Sequence, residues 1–366
     1  MGSFSCRRLL SVVLFVFLLA PPAGAQSHAK KNVQGVTLRS SHKFAPAQGK
    51  ITKKQERYAK VSTRVSAQEL KEEWAGEEPN AANAELRGKL TCRSACIMDA
   101  RTGRVLYDRS ADRPGQPAST IKVITGLIAV ESLNGKEMVR ASAYAANMPA
   151  SKIYLKKGAS YKANDLINAV LLASANDASV ALAEKVAGSE QAFARLMTKK
   201  AEALGAHNTI CKSANGLTRE GQQTTARDLA TVFNRAMHNP EFAERMSTTQ
   251  VRTSDGKVLR SHNKALWTLD GAVGGKTGYT VAAGKTYVGK FQRDGQAIIV
   301  ALLGSASMWD DIATLVEHGF AKQEMASRLP GDGSDAVRVS QVNRKSMAKE
   351  HAEYALLTEQ KKKAKL

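Results

Sequence analysis

Three short motifs in this chain contain the side chains that a nucleophilic serine enzyme needs. The first is Ser119-Thr120-Ile121-Lys122, which follows Pro117 at the predicted start of an apolar helix. A serine at a helix N-terminus lies near free N–H groups and the positive end of the helix dipole. Lys122, three residues on, lies on the same helix face, where burial beside other cations would lower its pKa and make it a base. An N-cap serine followed by an exposed lysine accounts for the same pair without chemistry.

The second motif is Ser174-Ala175-Asn176, which lies between two apolar helical segments. Its hydroxyl could relay a proton, and its amide could bind a substrate carbonyl. The alternative is a simple helix break, in which Ser174 and Asn176 cap the helix that follows.

The third motif is Lys276-Thr277-Gly278, followed by Tyr279, and it is the single K-[ST]-G in the sequence. Glycines in and beside a strand let another backbone approach closely. Lys276 and Thr277 would offer a cation and a hydroxyl to a substrate carboxylate. A hairpin turn with a surface lysine is the alternative.

Motifs of several other enzyme classes are missing from the sequence. It has no G-x-S-x-G elbow, no H-E-x-x-H helix, no P-loop and no G-x-G-x-x-G fingerprint. The histidines are scattered singly, and no C-x-x-C pair occurs. We therefore predict no metal site.

Strands and helices alternate in blocks along the chain. The predicted order is strands, helices, strands and a last helix, which indicates an α+β fold: an antiparallel sheet flanked by helices, with a helical subdomain inserted between the sheet halves. The predicted strands are Ser94–Met98, Arg104–Tyr107, Lys285–Arg293 and Ala297–Leu303, with a hairpin turn at Asp294-Gly295. The predicted helices are Ser119–Leu133, Leu166–Ala173 capped by Asn164 or Asp165, Ala178–Val186, Ser189–Leu204 closed by Gly205, Thr225–His238 and Trp309–Phe320.

Taken in order, the three motifs are far more specific than any one of them. They lie 55 and 102 residues apart, and the stretches around them read SACIMDARTGRVLY, PASTIK, LLASANDAS and GGKTGYTVAAG. From about Cys92 to Phe320 the chain resembles the low-molecular-mass penicillin-binding proteins of the serine β-lactamase-like superfamily, specifically serine D-alanyl-D-alanine carboxypeptidases. It departs from them at Asn215, where family members often have histidine.

The resemblance implies a role for each motif residue. Ser119 would attack the terminal D-Ala-D-Ala bond of a peptidoglycan stem peptide, with Lys122 as general base and Ser174 in the proton relay. The substrate-binding residues would be Asn176, Lys276, Thr277, Gly278 and Tyr279, and the N–H groups of Ser119 and Tyr279 would form the oxyanion hole. Penicillin and other β-lactams would acylate Ser119, and neither a metal nor an organic cofactor would be needed.

Other functions are less well supported. Class A β-lactamases use a glutamate in E-x-x-L-N to activate the deacylating water, and no such motif follows Ser174. An endopeptidase that cuts D-Ala cross-links would use the same residues as a carboxypeptidase. A binding protein with a degenerate enzyme domain is disfavoured because all three motifs are intact.

The sequence begins with features of a secretory signal peptide. Residues 1–25 contain Arg7 and Arg8, an apolar run from Leu9 to Ala20, and the small-residue site Ala23-Gly24-Ala25. We therefore expect export, with the protein in the periplasm or associated with the cell wall; peripheral attachment to the membrane is the alternative. Cys92, Cys96 and Cys211 would remain after cleavage, an odd number for an oxidising compartment.

Positive charge is concentrated outside the catalytic domain. The net charge is +21, and residues 26–66 carry ten basic residues against one acidic. We predict a basic disordered arm and a short helix over 26–88, starting at Ala67 and ending before Pro79, then the catalytic domain 89–321 and a polar basic tail 322–366. Because we expect the protein to be exported, we do not expect nucleic acid as a partner. The arm and tail would favour an anionic wall polymer or a membrane surface, or simply be solvated.

Overall fold

A five-stranded antiparallel sheet forms the centre of the structure, a computed structural model that describes residues 81–328. The predicted signal peptide, the basic arm, the helix at Ala67 and the tail beyond 328 lie outside the described residues. The strands are β1 (Ser94–Asp99), β2 (Val105–Arg109), β3 (Met138–Arg140), β4 (Ser160–Lys162), β5 (Gln250–Arg252), β6 (Val258–Arg260), β7 (Ala272–Thr280), β8 (Gly284–Arg293) and β9 (Gln296–Ser305).

The strand order of the large sheet is β2-β1-β9-β8-β7, so the first two strands join the last three through β1 and β9. Cys96 pairs with Ala301 across that junction. The other strands form two small pairs, β3 with β4 and β5 with β6. β7, which carries the third motif, lies at the edge of the large sheet.

Helices fill the sequence between the two halves of the sheet. They are α1 (Ala81–Lys89), α2 (Lys122–Ser132), α3 (Ala143–Ala146), α4 (Ala163–Leu171), α5 (Asn176–Ala187), α6 (Glu190–Ala203), α7 (Ala226–Ala236), α8 (Pro240–Ser247), α9 (Ala265–Thr268) and α10 (Met308–Arg328). All but α1 and α10 lie between β2 and β7. The predicted α+β fold with a helical insertion is therefore confirmed.

Two hydrophobic clusters lie on opposite faces of the large sheet. Cys96 and Ala301 contribute to the cluster that contains the inserted helices, whereas Ile97 and Val300 contribute to the cluster under α10. This follows from the two-residue period of a strand, which sends successive side chains to opposite faces. The sheet is thus buried on both sides, and among the described strands β7 has a neighbour on one side only.

Several predicted helix and turn signals are present in the structure. The Ser189 hydroxyl accepts a hydrogen bond from Ala192 N at 3.1 Å and caps α6. Gly205, just after that helix, has a φ of +91°, which suits glycine. Asp294 and Gly295 both have positive φ and form the tight turn between β8 and β9.

Other boundaries differ from the predictions. α4 begins at Ala163, so Asn164 and Asp165 lie in its first turn and do not cap it. Asp165 instead accepts a hydrogen bond from Ser254 N at 3.0 Å, a distant contact that local sequence does not reveal. The predicted helix from Ser119 starts as a 3-10 turn, and α2 proper begins at Lys122.

The two terminal helices were also misjudged. α10 continues to Arg328, eight residues past the predicted end at Phe320, so the segment predicted as tail starts inside a helix. α1 was not predicted, because AANAELRGK has little apolar periodicity. Its Leu86 is nevertheless buried in the cluster under α10. Among residues 81–328, none of the helices has the length and apolar character needed to cross a bilayer.

Candidate active site

The nucleophile candidate, Ser119, lies in the 3-10 turn Ala118–Ile121 directly before α2. Two hydroxyls fix this turn from different sides. Thr120 Oγ1 donates to Pro117 O at 2.6 Å, and Thr286 Oγ1, on β8, donates to the same carbonyl at 2.9 Å. The sheet therefore holds the turn that presents Ser119.

Lys122 is fully buried beneath Ser119. Its Nζ lies 2.8 Å from Ser119 Oγ, 2.8 Å from Asn176 Oδ1 and 2.6 Å from the carbonyl oxygen of Asn215. Burial lowers the pKa of Lys122 well below its usual value, and the nearby charge of Lys276 lowers it further, whereas Asp177 raises it. The site therefore favours a neutral amine.

A neutral amine at this position has a defined orientation. It has two hydrogens and one lone pair, and the two oxygens from Asn176 and Asn215 can only accept hydrogen bonds. Donating both hydrogens to them leaves the lone pair facing Ser119 Oγ. The arrangement can therefore take the proton of the Ser119 hydroxyl when its oxygen attacks.

A second lysine and serine face the first pair across the cleft. Lys276 Nζ donates to Ser174 Oγ at 2.9 Å and to the carbonyl of Thr277 at 2.9 Å. Burial lowers the pKa of Lys276 to about 7. Ser174 has a φ of +58°, an uncommon conformation for a residue with a side chain, and such strain is found most often at functional sites.

Asn176 joins the lysine to the wall of the cleft. Its Oδ1 lies against Lys122, and its Nδ2 donates to the carbonyls of Pro149 and Ala150 at 3.0 and 3.1 Å. Both amide hydrogens are thus used within the protein. The side chain holds the segment that follows Pro149 in place at the cleft.

The free edge of β7 runs past the nucleophile. A Cβ added to Gly278 would lie 2.7 Å from Ser119 N and 3.0 Å from Thr120 N, which is too close for any side chain. The next residue, Tyr279, is 65% exposed. The third motif therefore forms the strand edge against which an extended peptide could lie beside Ser119.

The motifs meet in a cleft of about 630 Å³. Its walls bring together all three predicted motifs. Six of the eight predicted site residues line it directly, namely Ser119, Ser174, Asn176, Thr277, Gly278 and Tyr279, and the other two, Lys122 and Lys276, are buried beneath it. No Asp or Glu lines this cleft within the described part of the chain. His262 is also at the cleft, and partial desolvation and the two lysines lower its pKa.

A comparison with known families decides the assignment. Residues 78–307 match the peptidase S11 family, described as D-alanyl-D-alanine carboxypeptidase. The chain belongs to this family. Its matched segment contains every motif residue described above, and it spans the sheet and the inserted helices.

Individual D-alanyl-D-alanine carboxypeptidases that the chain resembles are consistent with this family assignment. The chain is similar to DacB2 of Mycobacterium tuberculosis, with 36% identity over 242 residues, 63% of this chain and 83% of the relative. It is 31% identical to DacF of Bacillus subtilis over 244 residues, 63% of each protein. A crystal structure of penicillin-binding protein D2 from Listeria monocytogenes in the ampicillin-bound form superposes with a TM-score of 0.58 and 29% identity, covering 63% of this chain and 98% of that one.

The segment that forms the floor under Lys122 has no recognisable motif in the sequence. Asn215 contributes its backbone carbonyl to Lys122, while its Oδ1 accepts from Leu217 N at 3.0 Å. Gly216 has a φ of +80°, and a Cβ there would lie 1.9 Å from Ala118 O. The sequence marks Asn215 only as a departure from the resembled family, because a backbone carbonyl has no residue type of its own.

Two buried carboxylates near the site are used structurally. Asp177 accepts hydrogen bonds from Ile153 N and Leu155 N, and Glu190 accepts one from Ala214 N at 3.0 Å. Cys92, Cys96 and Cys211 are buried and unpaired, and burial raises their pKa to about 12. No cluster of three or more potential metal ligands occurs among the described residues.

Proposed function

We propose that this chain is an exported serine carboxypeptidase that removes the terminal D-alanine from peptidoglycan stem peptides through an acyl-enzyme on Ser119. The observation that carries the proposal is the 2.8 Å contact between Ser119 Oγ and the fully buried Lys122 Nζ. A lysine kept neutral by burial is a base of the strength that this step needs.

In the acylation step, Lys122 takes the Ser119 proton while Oγ bonds to the carbonyl carbon of the penultimate D-alanine. The N–H groups of Ser119 and Tyr279 stabilise the oxyanion, a contribution of roughly 10²- to 10³-fold per donor in other enzymes. The C–N bond then breaks, and the leaving amine of D-alanine takes a proton relayed through Ser174. Water next attacks the ester, with Lys122 again accepting a proton, and Ser119 is regenerated.

The terminal carboxylate of the substrate is recognised by the third motif. Lys276, when protonated, and the Thr277 hydroxyl offer a charge-assisted pair of donors next to the strand edge. The Lys276 contact with Ser174 links carboxylate binding to the proton relay, since one ammonium group touches both. A substrate without that carboxylate would bind weakly.

Penicillin presents a carboxylate and a reactive amide in a similar arrangement, so we expect it to acylate Ser119. Among residues 81–328, no carboxylate lines the cleft that could activate a deacylating water as in class A β-lactamases. Hydrolysis of the penicilloyl ester should therefore be slow, which favours a penicillin-binding enzyme over a β-lactamase.

The test is to incubate the full-length protein with labelled penicillin and, separately, with a soluble pentapeptide stem. We expect stoichiometric labelling at Ser119 and release of D-alanine, both absent in Ser119→Ala. Rapid turnover of penicillin would identify a β-lactamase instead. Labelling without D-alanine release, together with cleavage of cross-linked stem dimers, would identify the endopeptidase.

Export and wall association belong to the same proposal and rest on the sequence of residues 1–25 and on the basic arm and tail. Cell fractionation should place the mature protein outside the cytoplasm, with Gln26 as its first residue. Release from membranes on deletion of 340–366 would support a membrane-bound tail, whereas unchanged fractionation would exclude that role. Retention of the unprocessed chain in the cytoplasm would contradict export.

A further inference from the structure

Four basic side chains lie together on the small sheet formed by β3 and β4. Arg140 pairs with Ser160 and lies on the exposed side of β3, and Lys162 lies on the same side of β4, opposite Met138. The turn before β4 adds Lys156 and Lys157, because Arg140 Nε donates to Gly158 O at 3.3 Å and draws this turn against the strand. We refer to these four residues, Arg140, Lys156, Lys157 and Lys162, as the basic face.

The charge of the basic face is not balanced by neighbouring acids. None of its four side chains forms an ion pair within the described residues. The acids in the vicinity have other partners: Glu137 lies 3.5 Å from Lys185, Asp255 lies 3.5 Å from Lys257, and Asp165 accepts a hydrogen bond from Ser254 N at 3.0 Å. All four basic side chains are exposed. A surface of one sign like this raises the local concentration of anions.

A short chain segment links the active-site cleft to the basic face. Ala150 and Ser151 line the cleft, and Ile153 and Lys162 line a second groove of about 190 Å³. Lys157 follows Ser151 by six residues, so the two are separated by at most ~22 Å even if the chain between them were fully extended. One polymer can therefore reach both places.

The segment that joins the cleft to the basic face is held in a fixed conformation. Asp177 accepts hydrogen bonds from the N–H groups on both sides of Tyr154, those of Ile153 and Leu155, at 3.0 to 3.1 Å. Tyr154 itself has a φ of +61° and is 71% exposed. Residues with side chains rarely adopt this conformation, so the fold imposes it. The segment presents a preformed surface.

We propose that the basic face binds the carboxylates of stem peptides that neighbour the stem in the cleft on the same wall polymer. This inference rests on the proposed function, under which every stem, before and after cleavage, ends in a carboxylate. The polymer then carries negative groups at intervals, whereas a single soluble stem fills only the cleft. Binding at two places raises the effective concentration of the polymer at the cleft.

The experiment compares two charge-reversal variants of the full-length protein. Lys156→Glu/Lys157→Glu alters the basic face, and Arg101→Glu/Arg104→Glu changes the net charge equally in the exposed turn between β1 and β2, at the sheet edge opposite β7. The measured quantity is kcat/KM for D-alanine release from purified pentapeptide-containing sacculi and from a soluble pentapeptide. On sacculi at low salt, we expect the basic-face variant to lose about threefold to tenfold and the control less than about twofold. On the soluble peptide neither should change.

Each result has a definite meaning. The loss on sacculi should disappear at about 0.5 M salt, because exposed charges are then screened. If the parent does not release D-alanine from the soluble pentapeptide, the proposed function is wrong. If it does, and the basic-face variant processes sacculi as the control does, the inference is wrong. It is also wrong if that variant keeps full sacculus activity but loses binding to anionic phospholipid vesicles, which would assign the face to a membrane.

Discussion

At the scale of single residues, the site contains two buried lysines that need different protonation states. Lys122 must be neutral to take a proton from Ser119, whereas Lys276 must be protonated to bind a carboxylate. Burial lowers both pKa values, and the Lys276 charge lowers that of Lys122 further. A protonated Lys276 therefore favours the neutral form of Lys122, and the two charge states are compatible.

The first prediction concerns the pH dependence of kcat/KM for a soluble pentapeptide. The rate should rise as pH passes the low pKa of Lys122 and fall as Lys276 loses its proton, at about 7 in the free enzyme. In kcat the falling limb should lie at higher pH, because a bound carboxylate raises the pKa of Lys276. Stopped assays across pH 5 to 10 measure both profiles.

Lys276→Arg is the matched variant for this profile, since guanidinium keeps its charge throughout the range. We expect lower absolute activity from the larger side chain, but a falling limb in kcat/KM that moves to higher pH or disappears. A limb that stays in place in Lys276→Arg would show that another group, such as His262, controls it.

At the scale of elements, the 3-10 turn of Ser119 packs between two glycines that come from distant segments of the chain. Gly278 of β7 touches its N–H groups, and Gly216 touches its first carbonyl, that of Ala118. Short elements of this kind have few internal hydrogen bonds, so their position depends on what packs against them. The geometry of the nucleophile is therefore set by the sheet edge and by the segment under Lys122.

The second prediction is that Gly216→Ala is much more harmful than a change at an equivalent open position. Gly216 and Gly103 have φ values of +80° and +78°, but a Cβ at Gly103 meets nothing within 4 Å. Gly103→Ala should cost only the conformational strain, about 1 kcal/mol. Gly216→Ala should cost about 2 kcal/mol more and reduce penicillin acylation at least tenfold, because it displaces Ala118. Urea unfolding and the acylation rate measure the two effects. Equal losses in both variants would contradict the assigned contact.

At the scale of the whole molecule, Asp311 in the first turn of α10 is hydrogen-bonded to the segment just before β1 and to the end of β9. It accepts hydrogen bonds from Thr91 N and Thr91 Oγ1, both at 2.8 Å, and from Ser305 Oγ at 2.6 Å. These contacts join segments more than 200 residues apart in the chain. These hydrogen bonds hold together the ends of β1 and β9, the two strands that join the halves of the sheet.

The third prediction follows from this junction. Asp311→Asn should lower the free energy of unfolding by about 2 kcal/mol. The carboxamide has one acceptor oxygen where the carboxylate has two, and its N–H groups would face the donors that now bind Asp311. Asp310→Asn, one residue earlier and exposed, is the control and should change it by less than about 0.5 kcal/mol. Thermal or urea unfolding of the two proteins gives the comparison. Similar stability in both variants would mean that the three hydrogen bonds contribute little.

The sequence predicted the parts of this molecule that have a residue signature. The three motifs, the cap at Ser189 and the turn at Asp294-Gly295 depend on local chemistry, and the structure contains each. The carbonyl of Asn215 and the anchoring of Leu86 could not be found in this way. They depend on contacts between segments far apart in the chain, which composition and periodicity do not record.

The strand order also has a consequence for how the protein is made. β1 cannot gain its second neighbour until β9 exists, about 200 residues later, and contacts so distant in sequence form slowly. Ser119, Lys122 and Asn176 are synthesised long before β7 brings Lys276 and the strand edge. A nascent chain therefore carries its nucleophile without a working centre. We expect the capacity to react with penicillin to appear only in the last stage of folding, after the C-terminal strands have joined the sheet.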